Sequence, residues 1–263
     1  MNKRSTVFAV VLATLVTVGC GSGGGGNFNL ISIEEEWQLG AQLSQDIARQ
    51  VRFNNDPTVN AYVESMGRRI VAQTEAPFNQ LPWQFHVVDD PAINAFAIPG
   101  GHVYVNTGLI ANADNAAELA GVMAHEISHV TARHSTEQLS RQYGLSVIAG
   151  LVLGQDPGAL AQIAAQIVAG GALARFSREA EEEADALGIR AMAAAGYNPI
   201  GMATMFEELL EHRQGQPGRV EQFFATHPLT EDRIRAARQR AAQLGERGTM
   251  DEPGFQDARR RVT

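Results

Sequence analysis

In "HEISHVTARH", running from His125 to His134, two histidines stand four residues apart and a glutamate follows the first of them. Positions four apart share one face of a helix, so His125 and His129 can reach a single metal ion. Two imidazoles are half of a tetrahedral zinc site. A carboxylate is a regular third ligand where the fourth position is kept for water. Glu126, turned away from the ligand face, has the chemistry to take a proton from that water. Further along, "SREAEEEADALG" places Glu181 and Asp185 four apart on one helical face. Glu181 can ligate while Asp185 accepts the spare ring N–H of a ligating histidine. Glu182, three before Asp185, competes with Glu181 on spacing alone, whereas Glu179 and Glu183 point elsewhere. His134, five residues past His129, falls off the ligand face and is left out of the metal shell.

These residues need elements to carry them. Helical spacing runs from Ile31 to about Phe53, with glutamates near its start where the helix dipole favours them, and again after Pro57. "WQFHVV" alternates like a strand, and two more β-like pieces, around Ala95–Ala97 and His102–Val105, are joined by the turn "PGG". A small sheet therefore precedes the histidine helix, which Asn112 or Asp114 can cap. The apolar stretch from Leu145 to Ala174 is broken by "GQDPG" and by Gln162 and Gln166, and reads as a pair of core or site-covering helices. Helices follow over "SREAEEEADALGIRAMAAAG", "PIGMATMFEELLEHRQ" and "LTEDRIRAARQRAAQLGE", and the chain from Arg247 reads as a polar, loose tail. The expected class is α+β, mainly helical.

With 263 residues, 44% of them hydrophobic and 19% charged, the chain suits one folded domain with a real core. Its net charge of -8 lacks the basic footprint of a nucleic-acid binder. Lys3 and Arg4 precede an apolar run from Val7 to Val18, then "TVGC" ends at Cys20, the layout of a secretory signal with a lipidation cysteine. Cys20 is the one cysteine, which leaves no disulfide framework within a copy. "GSGGGGN" reads as a flexible tether. The expected organisation is a signal peptide over 1–19, lipidated Cys20 and tether over 20–30, a catalytic domain over 31–246 and the tail over 247–263. A membrane contact through the lipid is expected, with no spanning helix.

"HEISHVTARH" followed by "FSREAEEEADALG" resembles the zinc endopeptidase family of the CAAX prenyl proteases and the heat-shock membrane peptidase. The likeness is to its soluble periplasmic, outer-membrane lipoprotein branch. "NAFAIPGGHVYVNTGLI" resembles that family's edge-strand segment, and "ATHPLTEDRI" its downstream segment. The resemblance implies a zincin-like (gluzincin) fold and one Zn2+ per chain held by His125, His129 and Glu181, the glutamate four before the aspartate. It further implies Glu126 as the general base, and polypeptide substrates drawn from misfolded or misassembled envelope proteins. By likeness to lipoprotein sorting signals, Gly21 after Cys20 implies the outer membrane. His227 and Arg233 are candidates for facing the charge that develops on the scissile carbonyl, and His227 is also a candidate fourth ligand that displaces water. The strand His102, Val103, Tyr104 and Val105 is a candidate for pairing with an extended substrate. Against this stands a zinc-stabilised chaperone for outer-membrane proteins with little proteolysis, for which Glu126 would have no use. A zinc-using cell-wall amidase is a remoter alternative.

Overall fold

The computed structural model describes residues 31–171, 175–215, 217–245 and 247–263. The expected signal, Cys20 and tether over 1–30 lie outside the described residues. Helix α1 (Ile33–Ala48) opens with a capping box, in which the Ser32 side chain accepts from the Glu35 amide and the Glu35 carboxylate accepts from the Ser32 amide. It stops short of Phe53 because the chain there turns to meet the sheet. Phe53 bridges Val88, and the Asn54 amide donates to the Val87 carbonyl at 2.8 Å. Helix α2 (Pro57–Val71) has Asp56 as its cap and proline in its first turn, where the missing N–H costs nothing.

Strands β1 (Gln84–Val88), β2 (Ala95–Ile98) and β3 (His102–Asn106) form one sheet in the order β1-β3-β2. Strand β3 runs parallel to β1 and antiparallel to β2, so it is the middle strand. All five of its residues are buried. This corrects the expectation that His102–Val105 pair with a substrate, since both sides of that backbone are already taken. The edge toward the histidine helix belongs to β2. Pairing alternates along an antiparallel ladder, and the Asn106 amide donates to the Asn94 carbonyl. The polar groups of Ala95 and Ala97 therefore point outward, away from β3.

After a short helix α3 (Thr107–Asn112) comes α4 (Ala116–Thr131), which carries the histidine motif. Its cap is neither Asn112 nor Asp114 but Asn115, whose side chain accepts from the Glu118 amide. Every residue of the helix from Ala116 to Val130 is buried. Small residues make this possible. A Cβ on Gly201 would lie 2.4 Å from the Ala117 carbonyl carbon, and one on Gly188 would lie 3.0 Å from that of Ala124. Two neighbouring helices thus close directly onto the α4 backbone.

Arg133, with φ 62°, turns the chain out of α4, and α5 (His134–Tyr143) begins at once. Helices α6 (Leu145–Val152) and α7 (Pro157–Gln166) meet at a bend and pack over α1, burying Ile148, Leu151, Leu160 and Ile163. Among the described residues no single helix is long and apolar enough to cross a membrane. Helices α8 (Arg178–Ala194) and α9 (Ile200–Gly215) flank α4, followed by α10 (Glu221–Thr226) and α11 (Glu231–Leu244).

The segment expected as a loose tail instead holds α12 (Pro253–Val262), packed on α2 and α3. Phe255 and Ala258 are buried, while Glu252 accepts from Tyr62 and Arg69, each at 2.8 Å. Its apolar stripe is only a few residues among arginines, too thin to stand out in the sequence.

Candidate metal centre and active site

Helix α4 presents His125 and His129 on the face toward α8, whose first turn supplies Glu181 and, one turn later, Asp185. Ser177 starts α8 by accepting from the Ala180 amide, which sets the phase of both acids. His227 arrives from the turn between α10 and α11. All five side chains are at most 2% exposed.

The ring nitrogens converge. His125 Nε2 lies 3.0 Å from His129 Nε2 and 3.2 Å from His227 Nδ1. Glu181 Oε1 lies 3.0 Å from His227 Nδ1 and 3.5 Å from His129 Nε2. The edge of a zinc tetrahedron with bonds of about 2.0–2.1 Å is roughly 3.3–3.4 Å, so these separations fit a tetrahedron of donors. His125, His129, Glu181 and His227 are indeed a set whose ligand atoms could hold one metal ion. Three imidazole nitrogens and a carboxylate, buried together, are a donor set that suits zinc. His227 occupies the fourth corner of that set.

The surroundings orient the donors. His125 Nδ1 lies 2.9 Å from Asp185 Oδ1, the pairing expected from spacing, which leaves Nε2 free for the cluster. Glu182 is exposed and outside the cluster, as is Glu179. His134 is no member of the donor set, but its Nδ1 sits 3.0 Å from His129 Nδ1. The helix break at Arg133 swings it back to the far side of that ring, which counting along one continuous helix could not show. Arg233, expected to face the reacting carbonyl, is turned the other way. It makes two 2.8 Å bonds to Asp185, and its Nη1 stands 2.5 Å from Glu181 Oε2.

Glu126 lies beside the donors, not among them, with Oε1 3.4 Å from His227 Nε2 and without a hydrogen bond. Burial pushes its carboxyl up from the usual carboxylate range, against the pull of His227, His125 and the Ala97 backbone amide. Burial also holds His129 well below the usual imidazole range. Burial alone would depress His227 as well, but the Glu181 and Glu126 carboxylates raise it. For Glu181 the balance is reversed: burial would raise it, yet His227 and His129 hold it well below the usual carboxylate range.

The open side is narrow. Glu126, His227, Ile167, Phe176 and the β2 residues Phe96 to Ile98 enclose a cavity of about 20 Å³, room for about one water. Phe176 stacks on His129 with centroids 4.1 Å apart and sits 5.4 Å from the His227 ring. Residue spacing does not single out Phe176. Its place just before the Ser177 cap of the acidic helix was the one available signal.

Comparison with known proteins places this geometry. The family model described as Peptidase family M48 matches residues 57–241. The chain is 32% identical over 253 residues to the beta-barrel assembly-enhancing protease of Escherichia coli (strain K12), covering 93% of this chain and 50% of that protein. It is 34% identical over 222 residues to the putative beta-barrel assembly-enhancing protease of Vibrio cholerae, covering 81% and 45%. It is 31% identical over 211 residues to the mitochondrial metalloendopeptidase OMA1 of Schizosaccharomyces pombe, covering 79% and 61%. The chain thus spans about half the length of the first curated relatives it matches.

Proposed function

Because the chain belongs to peptidase family M48, we propose that it is a zinc-dependent endopeptidase whose metal is held by His125, His129 and Glu181. The observation that carries this reading is the buried convergence of their ligand atoms beside the Glu126 carboxylate, whose Oε1 has no hydrogen-bond partner. A purely structural metal site would have no use for that carboxylate. Zinc, when bound, polarises the scissile carbonyl and lowers the pKa of the attacking water to about 7. Glu126 takes the proton from that water and delivers it to the leaving amine. Its burial favours holding the proton once taken. Asp185 keeps His125 in the tautomer that offers Nε2. The outward edge of β2 holds the substrate backbone as an added strand beside Glu126, a mode that asks for little sequence.

A latent resting state is favoured by a specific observation: His227 fills the fourth corner where water would bind, and the cavity beside Glu126 is too small for a peptide. Cleavage then requires His227 and Phe176 to move aside. The same closure fits the alternative of a zinc-stabilised assembly factor that cuts rarely, and the names of the bacterial relatives fit substrates among misassembled outer-membrane proteins. We place the protein in the cell envelope on that likeness, with the Cys20 lipid as its anchor.

The deciding experiment is casein digestion by the zinc-loaded protein beside Glu126→Gln. The variant should keep zinc and fold while cleavage falls by about a hundredfold or more, the usual worth of a general base. Equal cleavage by both proteins would end the peptidase reading. Zinc content in the same preparations should be lost in Glu181→Gln and kept in Glu182→Gln.

A further inference from the structure

Arg233 is 3% exposed, and its guanidinium is wholly committed. Thr230 caps α11 by accepting from the Arg233 amide, which fixes the residue in the first turn. Nε and Nη2 form a fork on the two oxygens of Asp185, each at 2.8 Å. Nη1 reaches Glu181 Oε2 at 2.5 Å and the Pro228 carbonyl at 2.9 Å. One cation thus grips both acids of α8, the first a member of the donor set and the second the partner of His125.

The consequence lies in which Glu181 oxygen remains available. Oε1 faces His227 Nδ1 and His129 Nε2, at 3.0 and 3.5 Å, inside the donor set. Oε2 is 3.6 Å from His125 Nε2 and, at 2.5 Å, closer to Arg233 Nη1. We infer that Arg233 is a positioning residue that restricts Glu181 to ligation through Oε1 alone, while the same fork pins Asp185 behind His125. A carboxylate free to swing would offer both oxygens and take up a second coordination position, in competition with the corner that His227 fills and the attacking water needs. Lysine cannot replace this grip, because a single ammonium lacks the planar fork that spans two carboxylates.

This inference rests on the metal-centre reading above, and the test separates the two. X-ray absorption on the zinc-loaded wild type should find one Glu181 oxygen at a bonding distance of about 2.0–2.2 Å and no second. In Arg233→Lys, coordination should gain an oxygen. Zinc affinity, measured against a chelating indicator, should fall about 10–100-fold, the usual effect of losing an outer-shell partner. Asp185→Asn should weaken zinc while Glu181 keeps single-oxygen ligation, because the Nη1 contact survives. A bidentate Glu181 in the wild type would overturn the inference even if no variant folds. So would an Arg233→Lys protein with unchanged affinity and coordination, which would leave the arginine as a buried counter-ion only. A wild type that binds no zinc would sink the metal-centre reading together with this one.

Discussion

His227 is the residue whose role the geometry changes most. The sequence left it two candidate roles, oxyanion donor or fourth ligand. In the fold its Nδ1 stands within 3.2 Å of both His125 Nε2 and Glu181 Oε1, and its Nε2 looks toward Glu126. That geometry supports the proposed reading of His227 as a ligand over that of a donor held back for a developing charge. His227→Ala should therefore raise basal cleavage of casein at saturating zinc, because the fourth corner returns to water. A fall of about 10²–10³-fold would instead mark the loss of a preorganised donor.

At the scale of elements, the free edge expected of β3 belongs to β2. The outward amide of Ala97 faces the Glu126 carboxylate, and its pairing with Val103 needs no hydrogen bond from that amide. Ala97→Pro removes the donor at an edge position where proline is tolerated. Zinc content and thermal stability should be nearly unchanged, with kcat/KM for an extended peptide down roughly 3- to 10-fold, the worth of one net hydrogen bond. Full activity would move the substrate to another edge. Strand β3 makes a different prediction. Burial and the neighbouring His86 depress His102 from 6.5 to about 4. The folded state favours neutral His102 while the unfolded chain protonates near pH 6.5. Stability is therefore full above about pH 6.5 and falls as the pH drops from there toward about 4. Thermal unfolding of His102→Gln should show a shallower acid loss than the wild type, and parallel curves would refute the assignment.

For the whole molecule, the two ends of the described chain behave differently. The C-terminal α12 is clamped by Phe255 in the core and by Glu252 on Tyr62 and Arg69, which ties the end of the chain to α2. The N-terminal segment with Cys20 lies outside the described residues, so the anchor is read from sequence. Cys20→Ala should move the protein from the membrane fraction to the soluble envelope fraction. Retention at the membrane would point to the bent pair α6 and α7, whose apolar length together matches a broken span and whose Leu153 is 70% exposed.

Local physics determined what the sequence could show. Histidines four apart need only helical phase to share a face, and Glu126, Glu181 and Asp185 follow from the same period. The strands showed through alternation and the "PGG" turn, and most helices through their spacing. What spacing could not reach was anything set by contact between distant segments. The choice between Glu181 and Glu182 required either family likeness or the approach of α8 to α4, which glycine at Gly188 permits. Which strand is an edge depends on who pairs with whom, not on the strand's own residues. Arg233 reads as a cation in search of an anion until the fold supplies Asp185 and Glu181. His134 and Phe176 reach the His129 ring through a backbone turn and a helix start that periodicity passes over. Tertiary structure decided these because a side chain's chemistry is local, while its partners come from wherever the core closes.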